Sequence, residues 1–525
     1  MIFVVGSGPA GVSCAQGLLA RGAEVTLIDS GHSLEPAKLV QLQTLTKNES
    51  SAWTKESIRF LKEGMESSSS GILLKLAYGS DFPYREPAGA TPVFCEGADT
   101  KPSYAQGGLS TVWGSAVLPY RQEDINEWPV TVEDLEPGYR AVLTWMPLAA
   151  RRDDLHSVFP LYSDNYSPMP LSRQATALLG DLEKRKSKLK DQGVLFGASR
   201  LAVNPAQTTG SPGCVTCGLC MYGCPHRLIY SSDLTLNALL LHPRFHYRGG
   251  LTVRTAEENS SGVTLSAMDE RGGTVRLEGD RVFLAAGVLG TASILLRSAG
   301  QYDQPITLKD SQYYLLPLLR GKGTAEVSTE RLHTLAQLFF EIFDSSVSPY
   351  TIHLQTYTYN ELFRDPVVAK LGPARPFFPL ETFVGRLLLF QGYLHSAHSP
   401  HIELTLHKTA ESDKLSAVGV ANPDTGKTLR KLVKKLTGLA RLTGLMPLFP
   451  MLQPGKPGRG FHSGGTFPMR SNPGAGESDT FGRPSGMKRV HAVDASVFPT
   501  VPATTITLTV MANAYRIGSL LEQYA

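Results

Sequence analysis

Three groups of residues have the types and spacing to do chemistry. The first is Gly6-Ser7-Gly8-Pro9-Ala10-Gly11, with Asp29 eighteen residues beyond the last glycine. In such a pattern the first glycine permits a tight turn and the second lets backbone N–H groups approach a pyrophosphate. The third lets a helix pack closely on a strand. The helix N-terminus then meets negative charge, and Asp29 can accept hydrogen bonds from ribose hydroxyls. The pattern points to a dinucleotide without choosing between FAD and NAD. The second group is Cys214-x-x-Cys217-x-x-Cys220-x-x-x-Cys224-Pro225, four thiols within eleven residues. Its spacing matches a bacterial ferredoxin run; an iron–sulfur cluster, a zinc clip, a local disulfide and a loop of reduced thiols all remain open. The third is Phe461-His462-Ser463-Gly464-Gly465-Thr466, an imidazole that titrates near neutrality beside residues small enough to admit a substrate.

Elements must position these groups. Ile2-Phe3-Val4-Val5 reads as a buried strand, and Val12, Ala15, Leu18 and Leu19 mark an apolar helix that Gly22 closes. A second strand, Glu24 to Ile28, ends in Asp29. This strand–turn–helix–strand context is what the glycines require. A helical stretch is expected within residues 50–80, with the Ser67–Ser70 run as a surface loop. Another helix is expected from Asp134 to Leu148, with Thr131 as N-cap and Asp134 three residues on. Residues 245–290 alternate polar and apolar, and Asp269-Glu270-Arg271-Gly272-Gly273 suits a hairpin turn. Residues 300–455 are rich in Leu, Phe and Tyr and carry no phosphate loop. The last 70 residues return to Gly/Pro loops, then a strand and a final helix.

Composition limits the answer. At 525 residues the chain exceeds what one core usually serves, so two domains are expected. A hydrophobic content of 42% with 19% charged residues describes a soluble globular protein. The net charge of +4 is too small for this length to make nucleic acid the main partner. The opening strand leaves no room for a secretory leader before it, and no run of about 20 apolar residues occurs. Phe377 to Leu394 comes nearest and is broken by Glu381 and Arg386. A cytoplasmic protein is the expectation. From Lys427 to Gly460 there are eight Lys or Arg residues and no acid. Leu429, Leu432, Val433, Leu436, Leu439 and Ala440 mark one helical face there, which suits packing on a neighbouring domain. Membrane contact through residues 427–452 is the alternative.

Further motifs resemble those of the glucose–methanol–choline (GMC) oxidoreductases, in order and over nearly the whole chain. Gly107-Gly108-Leu109-Ser110-Thr111-Val112-Trp113-Gly114 is similar to the segment those enzymes lay along the flavin ring. Trp128-Pro129 and Asp134-Leu135-Glu136-Pro137-Gly138-Tyr139 resemble the next stretch. Leu284-Ala285-Ala286-Gly287-Val288-Leu289-Gly290-Thr291 resembles the strand and turn that return to the cofactor. His491-Ala492-Val493-Asp494-Ala495-Ser496-Val497-Phe498-Pro499-Thr500 resembles the C-terminal motif, whose acid reaches the phosphate–ribityl region. The GG-x-S-T-x-W form is closest to pyranose oxidases and related sugar oxidoreductases.

The resemblance implies FAD as cofactor, bound through Gly6, Gly8, Gly11, Asp29, Gly108, Ser110, Val112, Ala286 and Asp494. It implies His462 as the base that takes the hydroxyl proton while hydride leaves an alcohol carbon, an effect worth about 10²–10⁴-fold. Two departures stand out. Where the family places a second histidine or asparagine, this chain has Thr505, which can hold a substrate oxygen but cannot act as a second base. Where some sugar oxidases attach FAD to a histidine, this chain has Val112, so FAD is expected to be non-covalent. Some flavin sugar dehydrogenases of this family carry an iron–sulfur cluster in the region of Cys214, Cys217, Cys220 and Cys224.

The expected architecture is α/β: a Rossmann-like FAD-binding domain from residues 1–150, 200–298 and 456–525, and a substrate domain from 151–199 and 299–455 with a largely antiparallel sheet. The expected reaction is oxidation of CH–OH in a small alcohol, sugar or glycoside, with the electron acceptor open. A flavin-dependent lyase on the same scaffold and a non-catalytic flavoprotein are the alternatives.

Overall fold

The computed structural model describes residues 1–64, 74–207, 212–362, 364–365, 379–409 and 412–520. The Ser67–Ser70 run and Phe377 lie outside them.

The chain opens with β1 (Ile2–Val5), α1 (Pro9–Ala20) and β2 (Val25–Ile28). The apolar runs of β1 and β2 suit parallel strands buried on both faces. Both lie inside a five-stranded parallel sheet in the order Val490–Ala492, Arg281–Leu284, β1, β2, Phe245–Arg248. Because all five run the same way, their carboxyl ends share one edge. That edge carries Gly6, Asp29, Ala285-Ala286 and Val493-Asp494, where open α/β sheets bind ligands. The final helix, Thr507–Ser519, packs across α1. A side chain at Gly518 would sit 2.5 Å from the Cys14 carbonyl oxygen, so the two helices approach as closely as glycine allows.

Three antiparallel strands, Leu251–Glu258, Val263–Asp269 and Thr274–Gly279, form a separate small sheet. The expected hairpin turn is present, with the Asp269 carboxylate accepting from the N–H groups of Arg271 (2.9 Å) and Gly273 (2.8 Å). A larger, seven-stranded antiparallel sheet runs Leu445–Pro447, Tyr313–Arg320, Leu387–Tyr393, Ile352–Tyr357, Leu338–Ile342, Val194–Ala198, with Gln453–Pro454 also on Tyr313–Arg320. One face of it is covered by the helices Arg173–Glu183 and Pro423–Gly438, through Ala175, Leu178, Leu429 and Leu432 against Phe340, Leu354 and Phe390. The apolar face read in the basic segment is therefore spent on this sheet. A further sheet links Ser463–Gly464, Pro305–Asp310, His401–His407, Lys414–Val420 and Val93–Glu96. The α/β class, the Rossmann-like sheet and the antiparallel second sheet are all as expected.

The helix Val132–Trp145 starts from a capping box: the Thr131 hydroxyl accepts from the Asp134 N–H (3.2 Å) and the Asp134 carboxylate from the Thr131 N–H (2.8 Å). The helical stretch expected within 50–80 is corrected. The described residues there hold only the short 3₁₀ turns Ser50–Ala52 and Arg59–Lys62 and hydrogen-bonded turns, and the α-helix lies earlier, at Pro36–Thr46. Thr54 and Ser57 capture each other's backbone N–H groups (3.1 and 2.9 Å), a reciprocal capping that starts a helical turn, but it is followed only by the short 3₁₀ turn Arg59–Lys62. Among the described residues no helix is long and apolar enough to cross a membrane.

Candidate active site

One cavity of about 420 Å³ brings the sequence motifs together, a size typical of ligand sites. Gly6, Gly8, Asp29, Gly108, Ser110, Val112, Ala286, Asp494, His462 and Thr505 all line it. Gly11 does not, and its role is packing: a Cβ there would collide with the Gly6 carbonyl oxygen. Gly6 itself adopts φ +101°, a backbone open to glycine. The first turn of α1 holds Pro9 and no acid, so the positive end of its dipole faces the cavity uncompensated. The Ser7 hydroxyl donates to the Asp29 carboxylate and accepts from the Gly107 N–H (2.9 Å). Burial pushes the Asp29 carboxyl up to about 7, against the opposing hydrogen bonds from Ser7. Ribose hydroxyls donating to it would favour the charged form.

Gly108–Thr111 forms a single 3₁₀ turn entered from Gly107 at φ +92°. The Ser110 hydroxyl accepts from the Ser232 N–H (2.9 Å) and so fastens this turn to the helix Ser232–Leu239. Val112 presents only an aliphatic side chain to the cavity, leaving no group for covalent attachment. Asp494 accepts from the Thr291 hydroxyl (2.6 Å) and the Ser496 N–H (2.9 Å). It sits with Ala286, the N-cap of the helix Gly287–Ser298, on the same cavity wall. Glycine-rich approach, two helix N-termini and a terminal acid make this end of the cavity fit a dinucleotide.

At the other end, the loop before His462 is held by a buried acid. Asp310 accepts from the Gly458 N–H (3.0 Å) and the Ser463 hydroxyl (2.8 Å), and burial pushes its carboxyl up to about 7. Between these anchors Phe461 adopts φ +54°, a left-handed conformation uncommon outside glycine. The His462 ring stacks on Tyr393 with centroids 4.3 Å apart and planes 16° from parallel. Its Nδ1 is buried and has no hydrogen-bond partner. Burial, with a smaller push from His353, lowers its pKa to about 3, so the imidazole is neutral and able to accept a proton.

Thr505 is buried, and its hydroxyl oxygen accepts from the Leu118 N–H (2.7 Å). Its own proton is left to donate. Thr505→Val therefore removes a donor to the cavity and orphans a buried amide, costing about 1–3 kcal/mol of stability. Thermal unfolding beside Thr505→Ser, which keeps the hydroxyl, checks this: the valine variant should melt lower.

The structure lends no support to the metal reading of the cysteine run. Cys214, Cys217, Cys220 and Cys224 are all free thiols, and among the described residues no group of three or more Cys, His, Asp or Glu side chains could hold a metal ion. Cys214, Cys220 and Cys224 pack against the apolar cluster containing Leu118 and Leu201, whereas Cys217 packs against the one containing Leu61 and Tyr222. Cys217 nonetheless lies near enough to Cys214, Cys220 and Cys224 for a charge on any of them to act on its thiol. Burial pushes Cys217 up to about 12 and Cys224 to about 11. Both stay protonated and unreactive near neutral pH, so iodoacetamide should label exposed Cys95 well before either. Peptide mapping after brief alkylation gives the order.

The sequence reading missed the antiparallel wall of the cavity, formed by Tyr313, Gln355, Tyr357, Gln391 and Tyr393. Its signal was present in His353-Leu354-Gln355-Thr356-Tyr357 and Leu389-Phe390-Gln391-Gly392-Tyr393, where polar or aromatic residues recur every second position.

The cavity lies between the carboxyl edge of a Rossmann-like sheet and a wall from the large antiparallel sheet. Residues 454–514 match the sequence model of the GMC oxidoreductase family, its C-terminal part, so the chain carries the segment that contains His462, Asp494 and Thr505. The 6'''-hydroxyparomomycin C oxidase of Streptomyces lividus is 24% identical over 326 residues, covering 58% of this chain and 50% of that protein. The match thus spans about half the length of that relative. The crystal structure of pyridoxine 4-oxidase from Mesorbium loti has the same fold, with TM-score 0.60 and 15% identity over 99% of both chains. Formate oxidase is similar, with TM-score 0.63 and 14% identity over 99% of this chain and 98% of that one.

Proposed function

We propose that this protein is an FAD-dependent oxidoreductase that converts the CH–OH group of a small alcohol, in particular a sugar or glycoside, to a carbonyl. The observation that carries this is the single cavity lined both by the Gly6–Gly11 loop with Asp29 and by His462. The loop and the N-terminus of α1 would hold the pyrophosphate, Asp29 the ribose, and Asp494 the phosphate–ribityl part. Gly108, Ser110, Val112 and Ala286 would lie along the ring, without a covalent bond. The FAD domain comprises 1–150, 200–298 and 456–525, and the substrate domain 151–199 and 299–455. When bound, FAD supplies a two-electron hydride acceptor.

The chain's own residues handle the proton. As hydride leaves the carbinol carbon the hydroxyl becomes that of a protonated carbonyl, a strong acid, so even a weakly basic imidazole takes its proton. The lowered pKa of His462, which keeps it neutral, and its stacking on Tyr393 support that role. The Thr505 proton can hold the substrate oxygen. The Streptomyces lividus relative is named as an oxidase of 6'''-hydroxyparomomycin C, which supports oxidation of a hydroxylated small molecule. The test is a screen of alcohols and sugars against FAD-loaded protein without oxygen. Flavin bleaching with carbonyl formation supports the reading; product formation with the flavin still oxidised makes the protein a lyase.

A further inference from the structure

Among the cations that line the cavity, Arg297 pairs with Asp413 and Arg459 with Asp99 (3.7 Å). Lys75 lines it too and is partly buried, yet it enters no salt bridge among the described residues. Its ammonium donates to the Trp113 carbonyl oxygen (2.8 Å), which occupies one of its three N–H groups. The ionisable groups that act on it are the thiols of Cys220 and Cys224. Among the described lining residues the carboxylates are Asp29 and Asp494, both at the dinucleotide end. Taking an ammonium out of water without a counter-charge costs free energy, and burial lowers the pKa of Lys75 to about 8.

Contacts set this ammonium toward the His462 end of the cavity. Trp113 is followed by Gly114, where a Cβ would lie 3.7 Å from the Tyr357 hydroxyl of the antiparallel wall. The Lys75 carbonyl oxygen accepts from the Tyr84 hydroxyl (3.2 Å). Tyr84 in turn lies within reach of the charge of Arg459, three residues before His462. On the solvent side the ammonium of exposed Lys101 sits 6.0 Å from the centre of the Tyr84 ring. Lys101, Tyr84 and Lys75 all line the cavity, so an exposed cation leads to a partly buried one. Positive charge arranged in this way raises the local concentration of anions. The pyrophosphate of a dinucleotide would be met elsewhere, by the Gly6–Gly11 loop and the N-terminus of α1.

We infer that the alcohol this cavity takes also carries a carboxylate, as a hydroxy acid or sugar acid does, with Lys75 binding the carboxylate and Lys101 attracting it. The two remaining N–H groups of Lys75 would donate to the carboxylate oxygens. The inference rests on the cavity being an alcohol site and narrows the substrate to acidic members of that class.

Isothermal titration into FAD-loaded protein tests it with two matched pairs, glycolate beside ethylene glycol and D-glucuronate beside D-glucose. Within each pair a carboxylate stands in place of a hydroxymethyl group. At least one acid should bind about tenfold or more tightly than its neutral partner. Lys75→Met should abolish that preference without loss of FAD and without a lower melting temperature, because it removes a charge that no carboxylate answers. Lys101→Met should weaken the acid by a smaller factor that disappears at high salt. The ammonium is present below its pKa, so the preference should be full in neutral solution and fall as pH rises through about 8. Cys224, held up at about 11, stays protonated over that range. Failure of both acids to bind, equal affinity within both pairs, or a preference untouched by Lys75→Met overturns the inference. Loss of FAD from Lys75→Met overturns it as well and gives the ammonium to the cofactor. The predicted acid preference without flavin reduction keeps the cation site and overturns the oxidoreductase reading instead. Bleaching by neutral sugars with no acid preference does the reverse.

Discussion

His462→Ala is expected to keep FAD bound and to slow anaerobic flavin reduction by about 10²-fold or more. The contacts proposed for the dinucleotide are in the Gly6–Gly8 loop and at Asp29, not at this side chain. The ring stacks on Tyr393 and has an unpartnered Nδ1, so its loss breaks no hydrogen bond of the fold. The loop that carries it stays anchored by Asp310 through Gly458 and Ser463. A pH profile adds a second readout. With its pKa lowered to about 3 by burial, the imidazole of the free enzyme stays unprotonated at every pH above that value. Stopped-flow reduction should then show no acid limb near 6.5 from this group. An unchanged rate in His462→Ala would remove the residue from the mechanism.

The second large effect is at Gly11. Gly11→Ala would drive a methyl group into the Gly6 carbonyl oxygen. Gly6 cannot retreat, because its N–H is bonded to the Ile28 carbonyl (2.8 Å) and its own space is closed by the Ala285 carbonyl. The contact between β1 and α1 must open instead, at a cost of about 3 kcal/mol. That opening displaces the loop meant for the pyrophosphate. The variant should purify colourless, with a lower melting temperature that added FAD does not restore. A yellow variant melting like the wild type would mean that the loop has been misread.

The parts legible in the sequence were those set by local pattern. β1, α1 and β2 followed from apolar runs around three glycines, and the Thr131–Asp134 capping box and the Asp269 turn from residues a few positions apart. His462, Asp494 and Thr505 were found because they sit in short ordered motifs. Within 50–80 the Thr54–Ser57 cap is a helix-start signal, yet the described element after it is a single 3₁₀ turn, because a local cap does not set helix length. The cysteine run is ambiguous for another reason: spacing brings thiols near one another but does not say which apolar cluster each one joins. The antiparallel wall of the cavity was hidden because its members lie on separate strands. Only the pairing of His353 with Tyr393 and Gln355 with Gln391 puts them on one surface, and register of this kind is a tertiary property.

The account stands or falls on hydride leaving a carbinol carbon beside His462. The direct measurement is anaerobic single turnover of the FAD-loaded protein with a bleaching alcohol or sugar, protiated or deuterated at that carbon. Bleaching that is slower with deuterium, and slower again in His462→Ala, is the predicted result. Bleaching at one rate for both isotopomers and both proteins, or substrate turnover with the flavin oxidised throughout, would contradict it.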